Sequence, residues 1–144
     1  MSKLKSAIAY IILFNLCGTT YYGVEMLYRG YSHISMWMLA GMLGILIGLI
    51  NQHKLTWDMP LWKQLLIGEC IVLPLEFITG LIVNVWLQLN VWNYSGLWLS
   101  EYFLNQSSPL FALLFAPLIL LAIFIDDWYR YLFMDGRKPK YKIF

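Results

Sequence analysis

The chain has 144 residues, enough for one compact soluble domain or for a small bundle of membrane helices. Its residues are 60% hydrophobic and 17% aromatic but only 12% charged, about half the charged share usual in soluble domains, which points to an integral membrane protein. A net charge of +2 with no basic stripe argues against nucleic-acid binding. Cys17 and Cys70, each alone in an apolar run, give neither a disulfide framework nor a metal spacing and read as packing residues.

Four stretches reach the roughly 20 apolar residues that a membrane helix needs. They predict an all-α, single-domain integral membrane four-helix bundle over residues 1–144. The opening "MSKLKSAIAYIILFNLCG" imitates a signal peptide, with Lys3 and Lys5 ahead of an apolar core. No small-residue cleavage site follows and the run continues past Tyr21, so residues 7–28 are predicted as an uncleaved first span. At its end Glu25 and Arg29 stand four apart and can pair along one helix face.

The second span, residues 34–50, carries no charge. Ala40, Gly44 and Gly48 recur every four residues, with Gly41 beside them, forming a groove that another helix backbone can enter. Packing inside the bundle is the favoured reading, and a dimer face is the alternative.

The third span, residues 61–87, contains "LIGECIVLPLEFITGLIV" with two carboxylates. A charge at mid-membrane costs roughly 2.5–3.5 kcal/mol on insertion scales. Seven residues rotate an α-helix by about 700°, leaving Glu69 and Glu76 about 20° apart in direction and about 10.5 Å apart along the axis. They are therefore expected to share a face. Pro74 frees the carbonyl of Cys70 between them. Such a column serves either as a proton or cation path or as a set of interhelical hydrogen-bond partners.

Residues 85–108 hold no lysine or arginine but include Trp86, Trp92, Tyr94, Trp98 and Tyr102. Amphipathic rings favour the headgroup layer, so an aromatic outer loop lying flat on the membrane is the expectation. The sharper alternative makes the stretch around Trp92, Asn93 and Tyr94 a cap over a binding site.

The fourth span, residues 108–133, is longer than a crossing needs and contains Asp126 and Asp127. This pair predicts that the membrane part stops near Ile125 and that the helix runs on into water, with Asp126 and Arg130 paired. A basic tail, residues 134–144, with Arg137, Lys138, Lys140 and Lys142, reads as an anchor to anionic lipid.

Lysine and arginine accumulate on the cytoplasmic side. With both termini inside, nine of the ten basic residues are cytoplasmic and only Arg29 is outside, so the expected topology is N-in/C-in. No phosphate-binding loop, dinucleotide fingerprint, zinc-protease motif or nucleophile elbow is present. His33 and His53 fall in loops on opposite sides and cannot share a metal. The chain is expected to be no enzyme and to need no cofactor or metal.

"GVEMLYRGYSHISMWMLAGMLGILIGLIN", "MPLWKQLLIGECIVLPLEFITGLIVNVWLQLNVWNYS" and "LLAIFIDDWYRYLFMDGRKPKYK" together resemble the ABC-transporter type IV family of small bacterial membrane proteins, labelled ABC transporter permeases. E-x-x-Y-R-G, L-E-F-I-x-G and N-V-W-x-Y-S carry the resemblance. The chain departs from the pattern at Asn93, where an aspartate is usual, and in the stretch after Ser95. The resemblance implies a multi-pass protein of the bacterial cytoplasmic membrane. To pump anything, such a chain would need a separate ATPase and further membrane subunits.

The leading expectation is a transport-associated component in which Glu25, Arg29, Glu69 and Glu76 form a polar interior and an ion or substrate site. One alternative is a holin-like or channel-like homo-oligomeric pore with the second span at the subunit contact. The other is a non-transporting interaction or regulatory subunit. Apart from these, the lipid bilayer is the partner expected, and nucleic acid is not.

Overall fold

A computed structural model describes residues 2–52 and 59–144. His53 and Lys54, which entered the side assignment above, lie outside the described residues. Four helices are each long and apolar enough to cross a membrane, and the described residues contain no strand.

Helix α1 spans Lys3–Arg29. The Ser2 hydroxyl caps it by accepting the Lys5 N–H at 3.2 Å, so the helix starts four residues before the predicted span. Gly30 closes it with a φ of +79° and donates its N–H to the Met26 carbonyl, the left-handed stop that glycine adopts without a Cβ penalty. Helix α2 spans Ile34–Gly48 and tightens into a last turn, Leu49–Gln52. Its cap is the His33 ring, whose Nδ1 accepts the Ser35 N–H at 3.1 Å.

Helix α3 spans Leu61–Gly80, runs through Pro74, and continues as a wider-wound stretch, Leu81–Trp86. Helix α4 spans Pro109–Phe133. Ser108 caps it, and Pro109 occupies the first turn, where a missing N–H leaves no bond unmade. The connecting segment 87–107 holds one short helical turn, Ser100–Phe103, and passes through left-handed backbone at Leu99 and Leu104.

The α2 helix is central, packing on the other three. Its Leu39, Leu43 and Ile47, with Ile50 beyond them, meet Val72 of α3 and Phe115, Ile119 and Ile123 of α4 in the main core. Large apolar side chains also cover the outside: Leu27 is 91% and Leu113 73% exposed, with Ile11, Leu66, Ile78 and Leu114 also outward. A water-soluble bundle does not carry apolar surface of this extent, and the outward faces belong in lipid.

The glycines of α2 are filled from within the chain. A Cβ on Gly44 would collide with Cys17 of α1, one on Gly41 with Phe14, and one on Gly48 with the Asp126 carboxyl of α4. Ala40 is half-buried beside them. Cys17 is buried as expected, but Cys70 is exposed on α3 and is not a packing residue of the bundle. The buried row of α3 runs Gln64, Gly68, Val72, Glu76, Gly80, and Cys70 lies off it.

Candidate functional site

Two polar clusters lie inside the bundle, one at each end. The first is where α1 and α3 finish. Glu25 and Arg29 form an ion pair on α1. Ser32 donates its hydroxyl to Glu25 at 2.7 Å, and Arg29 Nη1 donates to the Val91 carbonyl at 3.1 Å. Tyr31 lies against the guanidinium, its ring centre 4.5 Å away.

Glu76 sits beside this pair and is 1% exposed. Tyr94 donates its hydroxyl to one carboxylate oxygen at 2.7 Å, and Ser107 reaches the other at 3.4 Å. Both donors come from the connecting segment. The Tyr94 ring stacks on Phe111 at 4.1 Å. Burial first, then the Glu76 carboxylate, Tyr21 and Glu25, hold the Tyr94 phenol well above its ordinary value, so the proton stays on tyrosine.

Asn84, in the wide-wound end of α3, organises the segment. Its Oδ1 accepts the backbone N–H of Val91 at 2.7 Å and of Trp92 at 3.3 Å, and its Nδ2 donates to Gln106 at 2.8 Å. The Trp92 indole donates to the Gln106 carbonyl at 3.1 Å. Val91, Trp92, Ser100, Gln106, Ser107 and Ser108 are buried. Parts of the segment, around Val91–Trp92 and Gln106–Ser108, pack on the end of the bundle, where their polar groups find partners. Trp86, Trp98 and Tyr102, three of the five aromatics named above, keep the exposure a headgroup belt needs, and Phe103 is exposed beside them. Asn93 points away from the cluster, its Oδ1 accepting the Ser95 N–H at 2.8 Å.

Glu69 does not join this group. It is half-buried, and its Oε2 is enclosed without a hydrogen-bond partner. Sharing a helix direction did not make the two glutamates equivalent. A row of residues four apart drifts by about 40° per step, so the buried face at Glu76 has turned away from the one at Glu69.

A narrow crevice of about 90 Å³ lies between all four helices. Glu76 and Tyr21 line one end, and Ile47 and Ile125 line the other. These isoleucines immediately precede Gly48 and Asp126, but neither of those residues, nor any other of the second cluster, lines the crevice. Phe115 to Ile125 along its wall correspond to about 15 Å of helix.

The second cluster is at the other end. Asp126 is 0%, Arg130 7% and Asp127 9% exposed. Arg130 Nε donates to Asp126 at 2.8 Å and Nη1 to the Tyr10 hydroxyl at 3.2 Å. Asn51 donates to Asp127 at 2.6 Å. The expectation that the charged end of α4 runs into water is thus corrected. Asp126 faces the space left by Gly48, and helices α1 and α2 supply the partners.

The tail folds back over this cluster. The Leu61 N–H donates to the Lys142 carbonyl at 2.6 Å, and the Gly136 N–H to the Arg130 carbonyl at 2.9 Å. Tyr141 packs edge-on to Phe124. Burial, then the charges of Asp127 and Asp126, push its phenol above the ordinary value.

Sequence reasoning placed Glu25 with Arg29 and singled out Glu76, but missed Asn84, Gln106, Asn51 and Tyr10. Asn84 and Asn51 carried a usable signal, since an amide within or at the end of an apolar span must find partners. Tyr10 carried none. Comparison with protein-family models, curated proteins and solved structures finds no match to this chain.

Proposed function

We propose that this chain is a transport-associated component of a bacterial cytoplasmic membrane, with both termini cytoplasmic, which passes a proton or small cation between its two buried clusters. The observation that carries the reading is the crevice between the four helices, lined by Glu76 and, further along, by Ile47 and Ile125, which precede the Gly48–Asp126 contact in sequence; the path requires it to open beyond them. The relay then pairs Glu76 with Asp126 rather than with Glu69. Ionisable groups inside membrane spans commonly mark such paths.

The apolar walls make the crevice a gate. Narrow apolar constrictions conduct only when water enters them, and the crevice of about 90 Å³ is lined almost wholly by apolar side chains. Tyr94 and Ser107 close the Glu76 end in the present conformation, so opening requires the connecting segment to lift. The resemblance to the type IV ABC-transporter proteins points to the same class of role, with a separate ATPase and other membrane subunits as partners.

Proteoliposomes containing the full chain and a pH-sensitive or cation-sensitive dye test the reading. Glu76→Gln and Asp126→Asn are each expected to cut flux at least tenfold, with Glu69→Gln near wild type. Flux unchanged in both Glu76→Gln and Asp126→Asn, with the variants folded, overturns the path. A second reading rests on one observation: both Glu76 oxygens are engaged by hydroxyls of the same chain. On that reading Glu76 only fastens the segment of a non-transporting subunit, and wild-type liposomes show no flux.

A further inference from the structure

Of the carboxylates on the described helices, Glu25, Glu76, Asp126 and Asp127 each find a partner inside the chain. Glu69 finds none among the described residues. Its Oε2 is closed off by the chain's own atoms, whereas Oε1, equally unbonded, is not enclosed. Glu69 does not line the crevice, and its neighbours Trp62, Leu66 and Cys70 are exposed, so Oε1 faces outward. Glu69 lies about 12 Å of helix beyond Leu61, too far for so short a side chain to reach water past the end of α3. Ionisable groups at such depth are paired with a polar group rather than left in lipid.

The chain's own surface carries the donors that Glu69 lacks. Asn15 and Thr19 are exposed on α1, four residues apart and so on one face. Asn15 Nδ2 gives one hydrogen to the Ile11 carbonyl at 2.8 Å, and an amide has a second to give. Thr19 accepts the Trp37 indole N–H at 3.3 Å, and its own hydroxyl donates to none of the described residues.

Their depth matches as well. Glu25 and Glu76 belong to the same cluster and mark one level. Glu69 lies about 10.5 Å inward of Glu76, while Thr19 and Asn15 lie about 9 Å and about 15 Å inward of Glu25. Glu69 therefore falls between the two donors.

One chain cannot bring these faces together. Helices α1 and α3 each pack on α2 and α4, and α2 packs on α4, which places α1 and α3 at the far corners of the bundle. Copies inserted side by side share one orientation, so α1 of one and α3 of the next run in the same direction and their levels stay matched. Gly23 continues the Asn15–Thr19 row with open space around it, so no bulky side chain holds a neighbouring helix off.

We propose that a second copy of this chain seats its α1 on α3 of the first, with the partner's Asn15 and the partner's Thr19 donating to Glu69 Oε1. The contact joins two different faces, so it repeats into a ring or a row of copies. It uses neither the glycines of α2, which are filled from within the chain, nor the crevice, and it holds whether or not ions pass.

Energy transfer between full-length copies in liposomes tests the contact, with dyes on Lys138→Cys in a background of Cys17→Ala and Cys70→Ala. Wild-type copies are expected to keep transferring energy on lipid dilution. Glu69→Leu alone, and Asn15→Leu with Thr19→Val alone, are each expected to associate at least tenfold more weakly. Mixing the two variants is expected to restore transfer, because one supplies the intact α1 face and the other the intact α3 face. Wild-type copies that transfer no energy, or a mixture of folded variants that restores none, overturn the proposal. Undiminished association of the Asn15→Leu and Thr19→Val chain also overturns it, since a contact of α3 with α3 would then suffice.

Discussion

Glu76 is held by the hydroxyls of Tyr94 and Ser107, which makes its loss distinguishable from its neutralisation. Glu76→Ala leaves the Tyr94 and Ser107 donors unpaired in a buried place and is expected to destabilise the protein by about 1–3 kcal/mol. Glu76→Gln keeps an acceptor oxygen and is expected to cost less. Thermal unfolding in detergent separates the two, and equal loss in both variants would contradict the hydrogen-bond account. Tyr94 adds a pH dependence. Its phenol lies above its ordinary value in the folded chain, through burial and the neighbouring carboxylate. Below about pH 10, the free tyrosine value, the proton is bound in both folded and unfolded chains. Above it the unfolded chain releases a proton that the folded chain keeps, so stability falls as pH rises. The decline in thermal midpoint above about pH 10 is expected to be shallower in Tyr94→Phe, and an identical slope would rule the phenol out as a contributor.

At the scale of elements, α2 works as the spine because three of its positions have no side chain. Gly41 admits Phe14, Gly44 admits Cys17 and Gly48 admits the Asp126 carboxyl. Overfilling a packed contact typically costs about 1–3 kcal/mol. Gly44→Ala and Gly48→Ala are expected to lose stability in that range, while Gly23→Ala, where a Cβ meets nothing, is expected to stay neutral or gain slightly in helix propensity. Chromatographic homogeneity and thermal midpoint in detergent read the difference. The four-residue spacing of these glycines was legible as a groove, but not what enters it. That depended on where α1 and α4 cross α2. The connecting segment shows the same division. Its aromatic content suggested a surface belt, yet Asn84 draws the backbone of Val91 and Trp92 inward. An amide on one helix and two N–H groups several residues later form no pattern along the chain.

At the scale of the whole molecule, the placement of positive charge predicts that the end carrying Lys3, Lys5 and the tail faces the cytoplasm. Cysteine labelling checks this in a background with Cys17 and Cys70 replaced by alanine. Ser95→Cys is expected to react with an impermeant reagent in intact cells, and Lys138→Cys only after the cells are opened. The reverse pattern would invert the topology. The sequence by itself determined the four apolar helices, nearly to their ends, because length and hydropathy are local properties that a bilayer reads directly. It also determined the Glu25–Arg29 and Asp126–Arg130 pairs, since four-residue spacing on one helix brings side chains together without help from another. Only the tertiary structure decided that Glu76 and Glu69 have different surroundings, that the charged end of α4 is buried, and that Asn51 and Tyr10 complete it. Those outcomes follow from helix crossing and from the space opened by Gly48, and neither is encoded in the spacing of residues along a single helix.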